Sequence, residues 1–264
     1  VVGDEIINDG GTIYAGARVD ISSKSNVSNI NKGLISSDQT LQVQAESNIN
    51  TDVDSAYFAN DIQLNAGQQI NSQGYHVAAN TLTLTAEGVN LSNSKVNARH
   101  FNLASTDEDT TLSGAQIETH HLNISTPLTL HTDGAVITAD TVLLDAQRLN
   151  NKAGSIEQRS NEAFTLSFND GLDNTQGSIL AAGDLLIDSQ FINNTQGQLV
   201  AEGVLNLNSN TQLINDEGVV LSAHDLTIQA TELSNQQGTL KSELANVNAV
   251  ISGAIKNTGN IYAN

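Results

Sequence analysis

A glycine followed two residues later by Ile, Leu or Val returns about every twenty residues, and this tandem repeat constrains the fold more than any other feature of the chain. From Leu172 to Asp188 the sequence is LDNTQGSILAAGDLLID; from Ile192 to Asn208 it is INNTQGQLVAEGVLNLN. With Gly177 as position zero, Leu172 stands at −5, Asn174 at −3, Ile179 at +2, Ala181 at +4, Leu185 at +8 and Ile187 at +10. The same phase is kept by Gly11, Gly33, Gly74, Gly114, Gly134, Gly154, Gly197, Gly218, Gly238 and Gly259. Two further coils keep the +8/+10 pair without the glycine, as Ile62/Leu64 and Phe101/Leu103, with Asp54 and Asn93 at zero. Thirteen turns result, with coils of about 20–21 residues.

The spacing within one unit dictates its local structure. Apolar residues two apart at +2/+4 and again at +8/+10 describe strands with one buried face. A short polar turn such as AGD or AEG separates them, and no helical period runs over any long stretch. The glycine at zero is expected at a sharp bend with positive φ, which Gly, Asn or Asp tolerates. One coil buries too few aliphatics to offset its backbone entropy, so units must stack, each strand pairing in parallel with its counterpart one turn away. Parallel crossovers are overwhelmingly right-handed. The expected fold is therefore all-β: a right-handed parallel β-helix of about thirteen coils, a single repeat domain over residues 1–264. At roughly 4.8 Å per coil the rod would be on the order of 60 Å long.

Asn at −3 recurs as Asn8, Asn71, Asn151, Asn174, Asn194, Asn215 and Asn235. Turned inward at a corner and stacked, these side chains are expected to form an amide ladder, each satisfying the next.

Composition agrees with a narrow core. Aromatics make up 3% of the chain, there is one proline, Pro127, and Cys, Met and Trp are absent. A net charge of −19 repels polyanions, so nucleic acid is not an expected partner. No apolar run of about eighteen residues occurs, so no membrane insertion by this segment is expected. The opening VVGDEIINDGG lacks the n- and h-regions of a signal peptide, and without an initiating Met the chain reads as a piece of something longer.

Departures from the repeat are where chemistry would sit. Irregular loops are expected near residues 105–114 and 155–171, the second adding the aromatics Phe164 and Phe168. Asp107, Glu108 and Asp109 are adjacent and raise the question of Ca²⁺, but no EF-hand or Gly-Gly-x-Gly-x-Asp spacing surrounds them, which favours a solvated turn. His100 and His121 fall in one slot of successive coils, with Arg99 and His120 in the slot before. Arg99, His100, His120, His121, Phe164 and Phe168 are thus the candidate surface contacts; for the histidine edge an exposed polar turn is the reading preferred over a transition-metal or glycan site. No catalytic, metal or cofactor residues are assigned, because acids are dispersed and basic residues too sparse for a polysaccharide-cleaving cleft.

The motif L-x-N-x-x-G-x-I/L-x-A-x-G-D-x-L-x-I/L, tightest from Leu149 to Gly259, resembles the haemagglutinin repeats of filamentous-haemagglutinin-type exoproteins, the secreted partners of two-partner secretion systems. The resemblance implies a right-handed β-helical fibre on the surface of a Gram-negative bacterium, the shaft of an adhesin, haemolysin or contact-dependent growth inhibition toxin. It implies an outer-membrane transporter as export partner and a host or bacterial cell-surface receptor as target. The family's NPNG and NPNL secretion motifs are missing, as are RGD and VENN. A shaft segment is the reading that follows, with a direct receptor- or glycan-binding module as the alternative and a polysaccharide-acting enzyme as the remote third.

Overall fold

The computed structural model describes residues 1–263, and among them every regular element is a β-strand. The strands stack in parallel as a β-solenoid of about twelve turns, close to the thirteen expected. Contacts group the chain into two compact units, Val1–Thr129 and Leu130–Asn264.

Each coil has three strands, so the repeat contains one strand more than the +2 and +8 pairs mark. In the first unit the opening coil runs Ile6–Asp9, Thr12–Ala15 and Arg18–Ser23. These pair in parallel with Val27–Ile30, Leu34–Ser37 and Thr40–Ala45 of the next. Inward positions stack type on type: Ile6 on Val27, Ile13 on Ile35, Val19 on Leu41. The period of two turns alternate side chains to solvent, as in the exposed–buried alternation of Arg18–Ser23.

The straightened corner changes along the chain, the fused second and third strands reaching as far as Val136–Asp145 at the start of the second unit. From Ala56 onward in the first unit, second and third strands fuse into Ala56–Ala66, Tyr75–Ala86, Lys95–Ser105 and Gln116–Ser125. Here the expected polar turn is replaced by Asn60–Asp61, Asn80–Thr81 or Arg99–His100, and only a register shift between Ala78 and Thr81 marks the old corner. In the second unit the Gly183 and Gly203 turns keep that corner sharp, and Asp184 Oδ1 accepts from the Val204 amide of the coil above at 2.8 Å. There the third strand runs on into the next coil instead, as Leu205–Ile214 and Leu226–Asn235.

An asparagine column lines the corner after the first strand. In the second unit Nδ2 of Asn151, Asn174, Asn194, Asn215 and Asn235 donates to Oδ1 of the next rung at 2.7–2.8 Å, ending on Asn257. The other amide proton of Asn174, Asn194 and Asn215 bonds the carbonyl of the glycine three residues on, each at 3.2 Å. In the first unit Asn8 donates to Asn29 in the same way, at 2.8 Å. Asn71, placed in the column by its spacing, is instead exposed, and Ser72 occupies the inward slot. The Gly74 turn is one residue shorter than the others, so −3 points outward there. The Gly33 turn is one longer, through Asn31 and Lys32 at positive φ, which is why the buried Asn29 sits at −4.

The glycines also differ from expectation. Among those at position zero only Gly114 and Gly134 have positive φ. At Gly154, Gly177, Gly197, Gly218 and Gly238 the left-handed residue is the one before: Ala153, Gln176, Gln196, Glu217 and Gln237. What excludes a side chain at these glycines is the column itself. A Cβ on Gly197 would lie 2.2 Å from the Asn174 carbonyl oxygen and 2.6 Å from Asn194 Oδ1. Backbone pairing places Ala115 and Ala135, not Gly114 and Gly134, at the equivalent rung, and Ser55 and Ser94 rather than Asp54 and Asn93. Those corners carry Leu112, Thr132, Thr51 and Leu91 in place of the Asn, so a Cβ fits.

Replacing Asn194 by Ala leaves Asn215 Oδ1 without its donor in the core and takes from the Asn174 amide its ladder acceptor. It is expected to cost about 2–4 kcal/mol in urea unfolding, whereas Asn71→Ala should stay within about 0.5 kcal/mol. Gly197→Ala is expected to cost about 3 kcal/mol or more through overlap. Gly134→Ala meets no atom within 4 Å and should cost only about 1–2 kcal/mol for its φ of 65°.

Candidate functional site

The histidine edge lies on straight strands, not on a turn. Arg99 and His100 are central in Lys95–Ser105, and His120 and His121 in Gln116–Ser125. Parallel pairing sets His100 beside His121, and their rings stack face to face with centroids 4.8 Å apart and planes 15° from parallel. One strand spacing thus fixes one ring spacing. Arg99, His120 and His121 are exposed and His100 half-buried. The His100 pKa is lowered, first by partial desolvation and then by the neighbouring His121, Arg99 and His120. Below them on the same edge stand Thr81 and Asp61, with Asn80 Nδ2 donating to Asp61 Oδ1 at 2.8 Å. Stacked rings aim their nitrogens side by side rather than at one point. Among the described residues no group of three or more His, Cys, Asp or Glu is placed to hold a metal ion. What the edge presents is two parallel imidazole rings laid one on the other across adjacent strands.

Phe164 and Phe168 do not belong to this surface. Both are buried, at 0% and 2% exposure, because the expected loop contains the strand Phe164–Phe168. Phe164 stacks on Leu185 and Leu166 on Ile187, so the aromatics take the inward slots of the third strand. Period two in FTLSF was the available signal. The extra length of this coil sits in the short turn around Arg159–Glu162.

The acidic run is divided among neighbours. Glu108 Oε2 accepts from Gln69 Nε2 at 2.7 Å, and Asp109 Oδ1 from the Thr129 amide at 2.8 Å. Asp107 is exposed. Beside them a shallow depression of about 430 Å³ is lined by Gln69, Asn71, Asn90, Glu108, Asp109 and Leu128.

The spacing rules missed a polar cluster inside the first unit, where the asparagine column stops. Thr51 Oγ1 donates to Tyr57 Oη at 3.2 Å; the Tyr57 ring stacks on His76 at 5.5 Å; His76 Nε2 lies 2.7 Å from Ser72 Oγ. All four residues are buried. Desolvation pushes the Tyr57 pKa up to about 12 and the His76 pKa down to about 4. His76 Nδ1 has no protein partner. The trace of this cluster in the sequence is the loss of inward Asn at Thr51 and Ser72 together with Tyr and His at inward strand positions.

The haemagglutinin repeat family model matches the chain five times, over residues 1–56, 56–105, 102–161, 159–223 and 200–264. A toxin, CdiA of Yersinia pestis, is 30% identical over 122 residues, 46% of this chain. The match spans 4% of that protein's length. No solved structure matches.

Acid should weaken the first unit through His76. Its folded pKa of about 4 lies below the unfolded value of about 6.5, so the unfolded chain takes the proton first as pH falls. The contribution is flat above about pH 6.5 and is lost toward pH 4, by about tenfold in the folding equilibrium per pH unit. His76→Leu should remove this slope, read as the difference between the two proteins' urea midpoints at pH 7.5 and pH 4.5.

Proposed function

The chain belongs to the haemagglutinin-repeat family, and from that premise we propose that it is a length of structural shaft. The shaft belongs to an exoprotein displayed on a Gram-negative cell and carries an adhesive or toxic region away from the surface. The observation that carries this reading is the tiling of the whole chain by five repeat matches, joined to coil-on-coil stacking in each unit. Residues that break the repeat's spacing, Phe164 and Phe168 among them, are spent on packing. The CdiA match fits a shaft of the contact-dependent toxin kind as well as an adhesin. Absence of cysteine suits a chain that crosses the outer membrane unfolded through a dedicated transporter, the partner we assign to export. No catalytic role is assigned to this segment.

A second reading rests on the stacked His100–His121 edge, which gives the segment an exposed polar contact surface for a cell-surface receptor or glycan. Binding of the isolated chain to cells or glycan arrays, lost in a His100→Ala/His121→Ala variant, would favour it over a shaft alone.

Electron microscopy of the intact exoprotein tests the shaft reading. Deleting this segment should shorten the fibre by about 60 Å, at roughly 4.8 Å per coil; a fibre of unchanged length would overturn the proposal.

A further inference from the structure

We propose that the outward face of the first strands in the first unit is a binding groove for an uncharged, extended oligosaccharide, laid along the stack with one sugar on each rung. The site is separate from the histidine edge and does not depend on the shaft reading.

Strand pairing sets Asn50 beside Asn71, Asn71 beside Asn90 and Asn90 beside Thr111. Asn71 and Asn90 are exposed, Asn50 and Thr111 half-buried. Two depressions lie over this row, of about 290 and 430 Å³, and Asn71 and Asn90 line both. Gln73 lines the smaller and Gln69 the larger, and no Lys or Arg lines either. The larger lies within the range of small-ligand sites.

One wall is built across three coils. Gln69 Nε2 donates to Glu108 Oε2 at 2.7 Å, and Gly88 belongs to the coil between them. A Cβ on Gly88 would lie 2.5 Å from Gln69 Nε2 and 2.8 Å from Glu108 Oε2, so the glycine is what lets the two side chains meet. The row itself keeps hydrogen-bonding capacity for a ligand. Asn90 Oδ1 accepts from the amide and hydroxyl of Ser92, which leaves its Nδ2 to donate. Asn71 Nδ2 reaches Asn50 Oδ1 only at 3.5 Å.

A carboxamide presents a donor and an acceptor side by side without charge. Polypeptide backbones and sugar hydroxyls both offer the matching pair, and rung spacing decides between them. The row repeats about every 4.8 Å. An extended peptide repeats its same-facing groups about every 6.6 Å and falls out of phase within two rungs. A pyranose in an extended glycan advances by close to one rung, so successive sugars meet successive side chains. Charge narrows the class further. Asp52 lines the smaller depression, and Glu108 and Asp109 the larger, so carboxylated or sulfated glycans are repelled.

Titration of the isotope-labelled 264-residue chain with cellohexaose, xylohexaose and chitohexaose, followed by its amide NMR signals, is the test. At least one of the three should shift the side-chain amide signals of Asn50, Asn71 and Asn90. Its affinity should climb from the disaccharide to the tetrasaccharide and level off there, because the row has four rungs. Asn71→Ala leaves the buried column intact, and should weaken binding at least fivefold at an unchanged urea midpoint. Hexagalacturonate should bind at least tenfold more weakly than the neutral hexamer. No shift with any of the three, binding unchanged in Asn71→Ala, or equal binding of hexagalacturonate would each overturn the proposal. So would loss confined to His100→Ala/His121→Ala, which would move the contact to the histidine edge.

Discussion

A carboxamide turned into the corner and bonded to its counterpart about 4.8 Å above, rung after rung from Asn151 to Asn257 and again at Asn8 and Asn29, is the interaction on which most of this structure depends. It satisfies the polar groups of a bend that would otherwise bury them unpaired. It also fixes the register, because an amide can bond the next amide only when the coils are in phase. Its cost is geometric. The residue three positions on must carry no Cβ, since that space holds the asparagine oxygen and the carbonyl of the rung below. Asn and Gly therefore travel together at Asn151/Gly154, Asn174/Gly177, Asn194/Gly197, Asn215/Gly218 and Asn235/Gly238. Where the Asn gives way to Leu112 or Thr132, the rung carries Ala115 or Ala135.

The stretch without asparagines shows the alternatives open to such a corner. Leu91 and Leu112 fill it with hydrocarbon, while Thr51 and Ser72 enlist Tyr57 and His76. The hydrocarbon solution puts no polar group in the column slot, but Ser94 Oγ and Thr110 Oγ1 beside it are buried without a protein partner. The Tyr57–His76 solution leaves one imidazole nitrogen buried without a protein partner, and so makes the first unit sensitive to acid. The same cluster holds one of the chain's four tyrosines and lies wholly in the interior. It belongs to packing, not to recognition.

Much of the candidate site was legible before any coordinates. Counting slots puts His100 beside His121, and strand pairing puts their rings 4.8 Å apart. Counting did not show that the turn holding them would straighten, and glycine does not decide it: the corners at Asp38–Gln39 and Ala223–His224 bend without one, while Lys95–Ser105 runs straight through Arg99–His100. Phe164 and Phe168 were misplaced for a separate reason. An insertion shifts the count from the glycine, and only pairing with Leu185 and Ser189 restores it and turns the rings inward.

The sequence by itself determined the period, the parallel stacking that a unit too small to fold alone requires, and the inward phase of the aliphatics and most ladder asparagines. Those follow from strict spacing, which chemistry reads locally. Tertiary structure alone decided the rungs where turn length changes by one residue: Asn29 entering the column, Asn71 leaving it, and alanine standing where glycine was expected. The reason is that a side chain's direction in a strand reverses with each residue, so one added or lost turn residue exchanges inside for outside. Which of the two then prevails is set by the coil stacked against it.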